Sequence, residues 1–208
     1  ELAFVSKNYK AYEFLYSFYE KGIENIKANQ NKALKYAEYA AFLGNDKIAY
    51  ELYLKYTNIV IKEKNKNQLD EYELKAFEFL KLSARDNENL SARLALAFIY
   101  LQGGLYNNNI KQNIELGTKY LMSAAYLGCA ESLEYFCLFK EFGYINSEHV
   151  ALNNLYKIIK MNEDGVILES GDESHGGIVF SRPIFYKDAK KKHLDLIHEI
   201  GKVIKKPF

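Results

Sequence analysis

Three segments of this chain are variations on one helix ending. KALKYAEYAAFLG (Lys32 to Gly44), KAFEFLKLSARDN (Lys75 to Asn87) and LGTKYLMSAAYLG (Leu116 to Gly128) align without a gap. In each, a small residue (Ala33, Ala76, Gly117) stands three positions before a ring (Tyr36, Phe79, Tyr120). Four positions past the ring comes a small pair, Ala40-Ala41, Ser83-Ala84 or Ala124-Ala125, and the segment closes on Gly44, Asn87 or Gly128. Small residues at these offsets lie near one helix face, where their lack of bulk lets a neighbouring helix approach while the ring fills the gap beside them. The closing Gly, Asn and Gly are the residue types that adopt the left-handed conformation ending a helix. Recurrence about every forty residues marks an array of helical hairpins.

The residues after each closing position repeat too. Ile48, Leu52 and Tyr56 match Ala92, Leu96 and Tyr100, then Ser132, Phe136 and Lys140, and the N-terminal segment fits with Ala11, Leu15 and Tyr19. Three of these second helices reach glycine, at Gly22, Gly103 and Gly143; the other carries Ile59 there and runs on into the charged IKEKNKNQLDEYE. The chain therefore reads as a leading second helix, three full pairs, and a fourth first helix, HVALNNLYKIIKMN. In that last helix Ala151 and Asn162 hold the register and Asn154 replaces the ring. Residues 1–162 form the array.

The pattern resembles the Sel-like repeats (SLR), cousins of the tetratricopeptide repeat, over about Ala11 to Asn162. That family's unit runs roughly K-A-x-x-W/Y-Y-x-K-A-A-x-x-G followed by a second helix with A-x-x-x-L-G-x-x-Y-x-x-G. This chain departs from it: no glycine follows Leu52, Leu96 or Phe136, the ring is never Trp, and inserts such as GGLYNNNIKQN lengthen the turns. The resemblance implies an all-α fold, a right-handed α/α superhelix or solenoid, and an adaptor role without a cofactor. In bacteria, proteins that it resembles often work at the cell envelope or in host contact, which favours periplasm, envelope or secretion over cytoplasm.

Composition excludes other classes. A chain of 208 residues, 49% apolar, is large enough to bury a sizeable core. A net charge of +1 gives no global attraction to nucleic acid or acidic lipid. ARLALAFIYL is half the roughly 20 apolar residues that a bilayer-spanning helix needs, so no membrane span is expected. The chain starts at Glu1 with helix-like sequence, and reads as a trimmed piece of something longer. Cys129 and Cys137, eight apart on one expected helix, would be about 12 Å from each other, too far for a disulfide. They are expected to be small buried fillers.

A solenoid presents a long concave face lined by its first helices. On those helices the offsets +2, +5 and +9 share a face and place there Lys35, Glu38 and Phe42, then Glu78, Lys81 and Arg85, then Lys119, Met122 and Tyr126. Mixed charges with rings and a methionine suit recognition of a protein or peptide. An ordinary solvated helix face is the competing reading.

Beyond Asn162 the character changes. In residues 163–183, VILES and IVFS are β-prone runs around a glycine-rich turn, readable as a small β-hairpin or as a loop. In residues 184–208, Phe185, Ala189, His193, Leu194, Ile197, Ile200 and Ile204 describe an amphipathic helix that would cap the array or dock a second copy, making an oligomer.

Reaction chemistry is scarce. ESGDESH (Glu169 to His175) gathers acids and a histidine without fixed metal-ligand spacing, and His193 and His198 are five apart rather than four. GGLYNNN lacks the lysine of a phosphate loop. No catalytic residue, metal or cofactor is expected. The main expectation is a non-catalytic scaffold binding a protein or peptide. The alternatives are a regulatory or substrate-holding part of a cell-envelope hydrolase, through the GDESHGG loop, and a self-assembling structural part.

Overall fold

A computed structural model describes residues 8–23, 27–62, 66–85, 89–104, 110–141, 143, 153, 167–168 and 184–185. Its helices are α1 (Tyr9–Lys21), α2 (Gln30–Phe42), α3 (Asp46–Lys62), α4 (Lys66–Ser83), α5 (Leu90–Gln102), α6 (Ile114–Tyr126) and α7 (Ala130–Glu141). A two-residue antiparallel pair, β1 (Ile167–Leu168) and β2 (Ile184–Phe185), follows. The chain divides into two compact units, Glu1–Ala92 and Arg93–Phe208. Helices α1 to α4 belong to the first, and most of α5 with α6, α7 and the β pair to the second. Both are built from the same hairpin, so the fold is all-α and solenoid-like.

The hairpin turn is the same in both units. After α2, the Gly44 N–H donates to the Ala41 carbonyl at 3.1 Å and the Asn45 N–H to the Ala40 carbonyl at 3.0 Å; after α6, Gly128 and Cys129 donate to Ala125 and Ala124 at 3.2 and 2.9 Å. This pair of bonds satisfies two carbonyls that the helix end leaves open. It requires a left-handed residue, and Gly44 and Gly128 have φ of 106° and 95°. Asn87, the third closing residue, lies outside the described residues. The small pairs are core: Ala41 and Ala125 are 0% exposed and Ala84 is 6%.

Between hairpins the rings do the packing. The second-helix ring of one hairpin stacks on the first-helix ring of the next: Tyr19 on Tyr36 (5.5 Å, 16°), Tyr56 on Phe79 (5.6 Å, 4°) and Tyr100 on Tyr120 (5.9 Å, 5°). Each such pair adds about 0.5–1.5 kcal/mol beyond the area it buries. The connection is pinned at the same ring residue, since the Asn29 N–H donates to the Tyr19 carbonyl and the Asn113 N–H to the Tyr100 carbonyl, both at 2.8 Å. The side chains of these asparagines cap α2 and α6 by accepting from the Lys32 and Leu116 N–H groups. Because both ends of the link are held, its length can vary between repeats.

The middle link has a different solution. There the charged stretch is absorbed into two long helices, α3 ending at Lys62 and α4 starting at Lys66. Tyr72, inside α4, adds a third ring beside Tyr56 at 6.0 Å. The Tyr56 hydroxyl donates to the Glu38 carboxylate of α2. Burial first, and then that carboxylate, push the Tyr56 phenol well above its ordinary value.

Helix α1 is tied to α3 by polar contacts. The Tyr16 hydroxyl donates to Glu20 at 2.7 Å and accepts from Lys55 at 2.8 Å, and Lys55 also pairs with Glu20 at 3.0 Å. The Asn45 side chain caps α3 by accepting from the Ile48 N–H at 3.0 Å, and donates to Glu13 of α1 at 3.1 Å. Asn45→Ala is expected to cost about 1–2 kcal/mol, because it strips a buried cap and a cross-helix bond together. Urea denaturation checks it, and a stability within a few tenths of the parent would show the cap to be idle.

Helix α7 is buried all round. Every residue from Ser132 to Phe139 is buried, and the helix packs against both α6 and β2. Both cysteines are buried and neither is in a disulfide; Cys129 stands one residue before α7 and Cys137 inside it.

The β pair corrects one expected boundary. Ile167 and Leu168, in the VILES run, pair with Phe185 and Ile184. Ile184 and Phe185 are β-branched and aromatic, residue types that fit a pleated ladder, and they are extended where the terminal helix was expected to begin. Residues 178–181 and 186–208, and with them the capping or docking helix, lie outside the described residues, as do Ala151, Asn154 and Asn162.

Candidate functional site

Four of the nine expected binding residues come together. Phe42, Glu78, Lys81, Leu82 and Arg85 line an open groove of about 350 Å³ between the end of α2 and the face of α4. On α4 the spacing 78, 81, 82, 85 is one helical stripe, continued past the helix end by Arg85. Phe42, the last residue of α2, is 56% exposed yet anchored from below, its ring 5.5 Å from that of buried Phe79. The groove thus has an apolar wall, Phe42 with Leu82, beside two cations and one carboxylate.

Arg85 is fixed by main-chain carbonyls. Its Nε donates to the Leu82 carbonyl at 3.1 Å and its Nη2 to the Ala41 carbonyl at 3.1 Å, with the Asp46 carboxylate 3.7 Å away. It thereby joins the turn of one hairpin to the first helix of the next. Lys81 lies over the Phe77 ring, 4.9 Å from its centre, and no hydrogen bond or ion pair among the described residues occupies its ammonium.

The other five expected residues are placed differently. Lys35 is exposed, over the Tyr39 ring at 5.9 Å. Glu38 is engaged by the Tyr56 hydroxyl and serves the packing of its own unit. In the second unit Lys119 pairs with Glu115 at 2.8 Å, Met122 is half-buried and Tyr126 is exposed. Leu82 was missed by the aligned offsets, although its position four after Glu78 put it on the same stripe.

ESGDESH, at residues 169–175, and His193 and His198 lie outside the described residues. Among those described, no group of three or more His, Cys, Asp or Glu side chains could hold a metal ion. No described helix is long and apolar enough to cross a membrane.

No family model matches the chain, and no curated protein matches it in sequence. Among solved structures it is similar to the crystal structure of c5321, a protective antigen present in uropathogenic Escherichia coli strains displaying an SLR fold, at 17% identity, over 96% of this chain, with a TM-score of 0.48. The chain spans 37% of the length of that protein. The helical hairpins described above fit a Sel-like repeat.

Proposed function

We propose that this chain is a non-catalytic interaction scaffold that binds a protein or peptide along the face of its first helices. The α2–α4 groove carries this reading. An exposed ring held from below, a leucine and charged groups of both signs converge there, which is the mix found where proteins bind one another. Hairpin stacking supports the role, because the core of each hairpin is closed by small residues and rings, leaving the first-helix face free to vary at little cost to stability.

The test is capture from lysate of the source cells, with bound proteins identified by mass spectrometry. A variant carrying Phe42→Ala, Lys81→Glu and Lys119→Glu, all exposed side chains, is expected to keep its helical circular dichroism and lose the specifically captured proteins. Unchanged capture would remove the first-helix face from the function.

A further inference from the structure

We propose that the α2–α4 groove takes a peptide segment of another protein in which a carboxylate side chain lies within a few residues of a large apolar side chain. This rests on the scaffold reading and gives its ligand a chemistry. Arg85 and Lys81 are one turn apart on the α4 stripe, close enough to serve one carboxylate together. The Lys81 ammonium has no counter-ion among the described residues, and the bonds of Arg85 run through Nε and Nη2, with Asp46 3.7 Å from Nη2, so no bond among the described residues uses Nη1. A guanidinium already held on two main-chain carbonyls has lost most of its rotamer freedom, so a charge-assisted bond to it costs little further ordering.

Glu78 sets a direction. It stands one turn before Lys81, so a ligand carboxylate is attracted to the Arg85 end and repelled from the other. The Phe42 ring and Leu82 supply the wall for the neighbouring apolar side chain. A polyphosphate backbone fits poorly, because the groove holds two cations with a carboxylate at one end instead of a continuous basic track.

The experiment is selection of a random octapeptide library displayed on phage against the full chain, followed by fluorescence anisotropy with the labelled synthetic form of the most enriched peptide. Enriched sequences are expected to pair Asp or Glu with Leu, Ile, Phe or Met nearby. Asn or Gln in place of the acid should weaken binding about tenfold, Lys81→Glu by tenfold or more, and Phe42→Ala by several-fold, with affinity falling as salt rises. The control Lys119→Glu should change nothing. A basic or wholly apolar consensus overturns the proposal, as does an acidic one indifferent to Lys81→Glu and Phe42→Ala. Peptides that depend on Lys119 but not on Lys81 would leave the scaffold reading standing and sink the groove. No enrichment at all sinks both.

Discussion

Phe136→Ala is expected to destabilise the protein by about 3–5 kcal/mol, against a total stability of about 5–15 kcal/mol for an ordinary domain. Phe136 is wholly buried in the middle of α7, a helix without a solvent face. Leu133, Leu138 and Phe139 around it are also fully buried, and the Tyr135 ring is locked edge-on against Phe98 at 4.6 Å. A cavity opened there has no mobile surface group to collapse into it, which puts the cost toward the upper part of the range for Phe-to-Ala changes. Urea denaturation followed by far-ultraviolet circular dichroism would read it as a midpoint lowered by roughly 1.5–2.5 M, taking a slope of about 2 kcal/mol/M. A loss below about 1 kcal/mol would mean that α7 is not the core of its unit.

Gly117→Ala should also destabilise, against the direction of helix propensity. Inside a helix, alanine in place of glycine is favoured by about 1 kcal/mol, so propensity alone predicts a more stable protein. A Cβ at this position would meet Leu101 Cγ at 2.8 Å, the Ala97 carbonyl oxygen at 3.0 Å and the Leu101 nitrogen at 3.0 Å. Two of these three atoms belong to the α5 backbone, which cannot rotate away, and overpacking of this kind costs about 1–3 kcal/mol. The net loss is therefore expected to reach up to about 2 kcal/mol, seen as a lower melting temperature, whereas a rise would show that α5 yields easily. Ala33 and Ala76 hold the matching place in the other repeats and are buried there without difficulty. A Cβ is accommodated at those places, whereas at Gly117 it would fall about 3.0 Å from the α5 backbone.

Much of the hairpin was legible beforehand because it depends on local constraints. Left-handed backbone excludes most side chains, so Gly44 and Gly128 announce the turn; close helix approach excludes bulk, so Ala41, Ala84 and Ala125 announce the buried seam. The asparagine caps are legible in principle, since Asn29 and Asn113 directly precede periodic helices, although they stand outside the alanine and glycine repeat. The strand at Ile184 was not, because two residues carry no period to read.

Both members of each stacked ring pair stood in the repeat pattern, yet their pairing did not. Tyr56 and Phe79 meet through the stacking of separate hairpins, a relation with no counterpart in sequence spacing. The candidate site divides along the same line. That Phe42, Glu78, Lys81 and Arg85 occupy a recurring helix face follows from helical period alone. Which of the nine expected side chains a ligand can reach was decided in three dimensions: Glu38 is taken up by Tyr56, Arg85 is steadied on Ala41, and Leu82 joins the groove. The physical reason is range. Backbone sterics and side-chain size act within a turn or two of helix and are written in adjacent residues, whereas a hydrogen-bond partner forty positions away is chosen only when packing brings it within about 3 Å.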